Sequence, residues 1–567
     1  MASIARDIES VQDTQEAGSR EINAPETEHQ SPVAESMTSG SVTSSIVAEE
    51  QDDDDVSQSG DNDRTLWQNV KKYRKICFIT LGLSSTALLY GYDYAIVSNI
   101  SGMQSFQKDL GKMYNNEWIL PSRWLSGWTA GSPGGAMLGT FFSGRWQDLY
   151  GRRIVLGCSS LLCAMGVAIM FPSYLSASLT CRRVLFLMGK IVQGFAIGVN
   201  VSTAQTYLSE ILPRSLRASA MSLFPIFTCL GQIVGALVVY TSLAKPRGYV
   251  VAFGSQWLFS LFPVIVAFCI PESPAFYIRN SKLDKAREAQ ARLSPPDVDA
   301  EAAVRRVKRN VDAQVHARRS SRFMHCFSGI NRRRTFIVMW AQSLQSVFGL
   351  VMLSKAAYFL QLVGLSPKQS VIFVIVGLVL SFLANIASIW IVARVERKKL
   401  IMVTMGLASL SWLGMGIANC FSNKEVGWWT GAFMILVAVI CSLGVWPASY
   451  TVSSETSSLR LRARTQAIGW LANSAAFFAS GFGVTYIYNP DGIDLRGKIG
   501  FTYFGSCVLG VLVTWLVVPE MKGRSVEEID RMFECKVGAR EWVGWKEEAV
   551  IEMEEGVGRE KEAGKKV

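Results

Sequence analysis

Twelve runs of apolar residues, each about twenty long, dominate this 567-residue chain and leave it little freedom in how to fold. Wound as a helix at about 1.5 Å per residue, such a run crosses the roughly 30 Å hydrocarbon core of a bilayer. The runs lie near 77–99, 124–145, 154–172, 184–207, 218–240, 250–270, 336–361, 370–392, 400–420, 428–451, 465–488 and 499–518. The expected class is an all-α membrane protein with twelve transmembrane helices.

Composition supports a lipid environment. Hydrophobic residues make up 49% and charged residues 18%, below the roughly 25% of soluble domains. Net charge is +11, a balance that could suggest nucleic acid, but its distribution does not. Residues 1–70 carry a net −13, so the rest carries +24, mostly in short loops between apolar runs. That is positive-inside topology, and no nucleic-acid partner is expected. The segment 271–335 holds 15 Lys/Arg against 7 Asp/Glu, which places it and both termini in the cytoplasm. Residues 1–70, polar, Ser-rich and lacking any signal-peptide pattern, should form a disordered acidic tail. The expected organisation is this tail, a six-helix bundle (71–270), a basic loop (271–335), a second bundle (336–520) and a cytoplasmic tail (521–567). Within the loop, 282–293 and 304–319 read as short surface helices.

Eleven scattered cysteines include no CxxC pair, so neither a disulfide framework nor a metal site is expected. His29, His316 and His325 all lie outside the apolar runs, which excludes a histidine proton relay in the membrane. No nucleophile–base constellation or phosphate loop stands out, and no enzyme activity or cofactor is expected.

The two halves repeat each other. Gly144–Arg153 (GRWQDLYGRR) follows run two and Ala393–Lys399 (ARVERKK) follows run eight; Tyr207–Arg217 and Val452–Arg462 follow runs four and ten. Arg153 to Glu210 and Lys398 to Glu455 are both 57 residues, and Pro271-Glu272 and Pro519-Glu520 close the halves. Two pseudo-symmetric six-helix bundles around a central loop are how many secondary transporters are built, with the substrate site between them near the midplane.

At these residues the chain resembles the sugar-porter branch of the major facilitator superfamily, from about residue 75 to 532. Gly144–Arg153 fits its G-x-x-x-D-x-x-G-R-R loop, Pro271–Pro274 its PESP signature, Pro519–Asp530 (PEMKGRSVEEID) its closing motif, and Tyr92-Asp93 its helix-one signature. The paired SE-x-x-P-x-x-x-R and S-E-T-S-S-x-R-L-R stretches look most like fungal α-glucoside (maltose) permeases. Ala393 and Glu396 depart from the pattern, which prefers Asp and Gly there, so the inner gate on that side should be held differently.

Charges inside bilayer-spanning helices are costly and mark function. Three lie well inside the runs: Asp93, Lys190 and Lys355. Asp93 and Lys190 each sit about six residues, roughly 9 Å, below the outer boundary, so they can form an ion pair. Protonation of Asp93 would release Lys190 and drive rocking of the halves; a static bridge is the alternative. The resemblance implies the same coupling role, with Arg more usual at the Lys190 position. It also implies substrate contacts at Gln232, Gln345, Trp446, Tyr450 and Asn473, where amides suit hydroxyls and rings suit a sugar's C–H face; packing is the alternative. Pro225, Ser346 and Val351 replace polar pocket positions, so the pocket should make fewer hydrogen bonds than a hexose site. Lys355 falls where the family often has a gating Tyr: it reads as a gate, as a stem snorkelling to outer water, or as a contact for an anionic substrate. Asp148, Arg152, Arg153, Glu210, Arg217, Glu455 and Arg462 should form a cytoplasmic latch holding the outward-facing state, each pair weak but the set breaking together. Asn99-Ile100-Ser101 is a sequon too close to the membrane to be used.

The resulting expectation is a plasma-membrane carrier, working as a monomer, that imports a sugar or α-glucoside with protons. The competing readings are a carrier of a non-sugar organic acid or secondary metabolite, in either direction, and a non-transporting sugar sensor.

Overall fold

The computed structural model describes residues 66–213, 216, 223–295, 300–319, 323–421, 425–458, 461–522, 524 and 526–542. Among these, twelve long helical spans follow the apolar runs: α1 (Arg74–Ser101), α2 (Ser122–Tyr150), α3 (Arg152–Met170), α4 (Leu179–Ile211), α5 (Leu223–Ser242), α6 (Gly248–Cys269), α7 (Gly329–Val347), α8 (Pro367–Arg394), α9 (Arg397–Ala418), α10 (Val426–Leu443), α11 (Arg462–Tyr488) and α12 (Ile499–Val517). Ten, α3 to α12, are long and apolar enough to cross a membrane. α1 and α2 are of similar length but interrupt their apolar runs with Ser and Gly, and each turns one face to the interior and another outward. Side chains exposed on the outside of the bundle are apolar, among them Phe78, Phe141, Phe268 and Trp390, as a lipid-facing surface requires.

Packing repeats between the halves. In the first, α2 lies on α4, α1 on α5, and α3 on α4 and α6; in the second, α8 lies on α10, α7 on α11, and α9 on α10 and α12. The halves meet along two seams, α2 on α11 and α5 on α8. Small residues set the closest approaches. A Cβ on Gly135 or Gly139 of α2 would collide with backbone carbonyls of Ile191 or Phe195, and one on Gly194 or Gly198 of α4 with those of Ser132 or Ala136. These are reciprocal small-xxx-small stripes, which let membrane helices gain dispersion contact that apolar transfer cannot supply.

Several expectations need correction. The seventh span is not one helix over 336–361. It breaks after Val347, where Gly349 adopts φ 95°, resumes as Leu350–Ser354, breaks again at Lys355 and ends as Ala356–Leu362. The tenth breaks at Gly444 and continues as Val445–Thr456. Helix already begins at Leu66, inside the segment expected to be disordered, because Val70 and Tyr73 pack on a buried cluster with Ile76 and Leu83; residues 1–65 lie outside the described residues. The loop helices form at Leu283–Leu293 and Ala300–Arg319.

A hairpin between α1 and α2 was not anticipated. Strands β1 (Lys112–Tyr114) and β2 (Glu117–Ile119) pair antiparallel, joined by Asn115-Asn116, both at positive φ (47° and 65°). Asn tolerates that region, and such two-residue turns match the strand twist. The hairpin's face of the molecule is called outer below, in line with the basic-loop topology.

Candidate functional site

Three contiguous chambers occupy the middle of the molecule, meeting around Tyr94. One, about 1110 Å³ out to its mouth, is lined by Asp93, Ser132, Lys355, Trp470, Asn473 and Phe477, among others. A second of about 370 Å³ is lined by Gln232, Gln345, Trp446 and Tyr450. The third, about 820 Å³, takes in Gln232, Asn99 and Trp446. All five residues named for substrate contact therefore line the chambers, although Asn473 spends its amide N–H on the Gln342 carbonyl at 2.7 Å. Pro225 and Val351 line them as well, so two of the three departures from the polar pattern fall in the walls; Ser346 is buried, its hydroxyl making no hydrogen bond among the described residues. Asn99 is 1% exposed, which leaves its sequon inaccessible.

Asp93 and Lys190 meet. The Lys190 ammonium is paired with Asp93 Oδ1, and both residues are buried. Asp93 Oδ2 accepts a hydrogen bond from the Ser132 hydroxyl at 3.0 Å. Lys190 also donates to Gln193 Oε1 at 3.0 Å, and Gln193 donates to Gln256 Oε1 at 2.6 Å. This neutral relay behind the pair was not foreseen; its signal, two amides on runs four and six, is common in membrane helices. Because Asp93 borders the open chamber while Lys190 is fully enclosed, the carboxylate is the member that solvent or solute reaches.

Lys355 does not snorkel. It is 3% exposed and borders the same chamber as Asp93, because the break after Ser354 turns it inward beneath a closed rim. That rim joins the two halves. The Leu120 N–H donates to the Tyr358 hydroxyl at 3.2 Å, and Tyr358 donates to Asn489 Oδ1 at 3.0 Å. Asn489 Nδ2 donates to the Leu120 carbonyl at 2.8 Å, and Gln361 Nε2 to that of Gly102 at 2.6 Å. Asp491 accepts from the Ser122 backbone N–H and hydroxyl and pairs with Lys112 of the hairpin at 2.9 Å. Burial opposes the Asp491 charge, but the hydrogen bonds from Ser122, Lys112 and Asn489 outweigh it and hold its carboxyl below the usual range. None of these rim residues was singled out from sequence.

On the inner face the ion pairs seen stay within each half. Arg152 binds Glu210 at 2.8 Å and Asp148 at 3.4 Å, and Arg279 joins both acids. Among the described residues the Arg153 guanidinium pairs with no acid; it donates to the Ala267 and Phe268 carbonyls at the end of α6. In the second half Glu455 binds Arg397 at 3.2 Å, so the repeat runs from Arg152 and Arg397 rather than from Arg153 and Lys398. Arg217 and the Arg462 side chain lie outside the described residues. The two Pro-Glu motifs act as caps. Glu272 accepts the N–H groups of Arg152 (2.8 Å) and Arg153 (3.1 Å) at the start of α3, and Glu520 those of Arg397 (3.2 Å) and Lys398 (3.0 Å) at the start of α9. Burial raises the Glu272 pKa despite these bonds.

Comparison with known proteins agrees with this architecture. Residues 79–533 match the family described as Sugar (and other) transporter. The chain is 27% identical over 529 residues to the MFS transporter fmqE of Aspergillus fumigatus, covering 88% of this chain and 94% of that protein. It is 24% identical to the general alpha-glucoside permease of Saccharomyces cerevisiae, covering 87% and 80%. Its fold matches the inward open conformation of the xylose transporter XylE from E. coli with a TM-score of 0.66 at 20% identity, over 81% of this chain and 99% of that one. An integral membrane protein of twelve helical spans in two matched halves, it belongs to the Sugar (and other) transporter family, within the sugar-porter branch of the major facilitator superfamily.

Proposed function

We propose that the chain is a proton-coupled secondary carrier that takes up a sugar-sized polar solute, with a sugar or α-glucoside the first reading, by alternating access between its halves. The observation that carries the proposal is the buried Asp93–Lys190 pair in the wall of a chamber between the halves, with the outer rim closed above it. A buried ion pair loses much of its attraction to desolvation, so protonating Asp93 exchanges two opposed terms of similar size and can redirect Lys190 at modest net cost. The α-glucoside permease relatives support the sugar reading. The aromatic walls and the amides of Gln232 and Gln345 suit a ring with hydroxyls. With the rim closed, the inner face is the side that opens; the ion pairs seen there among the described residues lie within each half and would be exchanged for contacts between halves in the other state. The basic loops favour both termini in the cytoplasm, uptake from outside the cell would place the carrier in the plasma membrane, and a single chain contains the whole chamber, so a monomer suffices.

The test is uptake into proteoliposomes with and without a pH gradient. Asp93→Asn is expected to keep counterflow exchange and lose gradient-driven accumulation; unchanged uphill uptake in that variant would overturn the coupling role. A second reading, in which the cargo is an organic acid, is favoured by one observation, the buried Lys355.

A further inference from the structure

Among the described residues Lys355 is a cation without a counter-charge. It stands at the break between Leu350–Ser354 and Ala356–Leu362 and is 3% exposed. Its backbone N–H and carbonyl are engaged, but its ammonium makes no hydrogen bond or ion pair among the described residues. Among the residues lining its chamber Asp93 is the sole carboxylate, and Asp93 is already held by Lys190 and Ser132. One carboxylate thus stands against two lysines, and it is committed to Lys190. Leaving a desolvated charge unpaired costs several kcal/mol, and a polar group kept inside a membrane protein at that cost marks a ligand path.

A second, independent observation agrees in sign. The Trp446 indole N–H is buried beside the Tyr450 hydroxyl and makes no hydrogen bond of ordinary geometry among the described residues, and its chamber joins that of Lys355 through Tyr90, Tyr94, Phe224 and Phe477. An ammonium and an indole N–H are donors only. Set among aromatic walls, these two groups call for acceptor oxygen and, at Lys355, for negative charge.

We propose that the cargo carries a carboxylate and that Lys355 is its partner: an organic monoanion of roughly sugar size, its acid group on the ammonium and its body against the aromatic rings. The proposal rests on the carrier reading of the same chambers. A neutral glycoside offers the Lys355 ammonium no counter-charge; a carboxylate supplies one.

The test is equilibrium binding to the purified full-length protein of two matched pairs: glucuronate against glucose, and 4-hydroxybenzoate against 4-hydroxybenzamide. The pairs separate a sugar-acid body from an aromatic-acid body, each acid set against a neutral partner of similar size. The acid of at least one pair is expected to bind about 30-fold or more tightly than its neutral partner, the scale of a desolvated charge pair. Lys355→Met should remove that preference and Lys355→Arg retain it, while the wild-type comparison stands even if a variant misfolds. Equal binding within both pairs, binding of neither acid, or a preference that survives in K355M overturns the proposal. Acid-selective binding with no entry of that acid into proteoliposomes would leave the Lys355 assignment in place and overturn the carrier reading instead.

Discussion

Glu272 sits so close over Gly151 that any Cβ there would collide with its carboxylate. The contact lets one acid cap the first turn of α3, and it works because Gly151 turns the chain at φ 91°. Glu520 caps α9 in the same way, but the residue before that helix, Glu396, is extended at φ −61°. The halves share the cap and differ in the turn.

Gly151→Ala is expected to destabilise the protein by about 1–3 kcal/mol, combining a strained φ with the clash. Glu396→Ala, at an unstrained surface turn, should change stability by no more than about 0.5 kcal/mol. Thermal unfolding in detergent distinguishes the two; equal effects would refute the asymmetry.

The glycine stripes between α2 and α4 predict a second contrast. Gly139→Ala and Gly194→Ala each place a methyl against backbone that has no rotamer to yield, at a cost of about 1–3 kcal/mol. Gly144→Ala on the same helix meets nothing within 4 Å and should gain about 0.5–1 kcal/mol from the helix preference for Ala. The ranking by chemical denaturation in one detergent checks both.

For the charge pair, Lys190→Gln strands the Asp93 carboxylate and is expected to cost about 3–5 kcal/mol, while the Asp93→Asn/Lys190→Gln double variant should lose less than the sum of the singles. Additive losses in such a cycle would mean the two groups do not interact in the protein as it folds.

The outer rim yields a pH prediction. The Asp491 carboxyl is held below its usual range, so its contribution is fully present above the ordinary aspartate value near 3.9 and is lost as pH falls through the lower, folded value. Hydrogen exchange of the 112–122 segment should be flat between about pH 5 and 8, after correction for intrinsic rates, and rise only below about pH 4. Asp491→Asn should raise that exchange at pH 7; protection unchanged by the variant would remove Asp491 from the rim.

Much of the helical plan was legible in the chain because hydropathy and length decide which segments enter a bilayer. The Asp93–Lys190 contact was legible for a related reason: few charges are admitted to such segments, and two at equal depth have few alternatives to meeting. The helix breaks escaped because a window of twenty residues averages over Gly349 and Gly444, and an interior glycine carries no sign of its φ. For the same reason the sequence leaves Lys355 open between a gate, a stem reaching outer water and an anion contact, since its direction depends on that break. The rim escaped because its members are ordinary Tyr, Asn, Gln and Ser residues, with Leu120 and Asn489 369 positions apart. The Asn115-Asn116 turn was the one local signal left unused.

The two seams, α2 on α11 and α5 on α8, have a mechanical consequence. A line through them is the natural pivot for the proposed rocking, and the Tyr358, Asn489 and Asp491 bonds act at the far end of the lever. There, a few bonds of about 1 kcal/mol each oppose a turning moment that would need much larger forces to resist near the pivot. Fine adjustment of how long the gate stays shut therefore belongs to single substitutions at the rim, where torque is greatest and packing least disturbed.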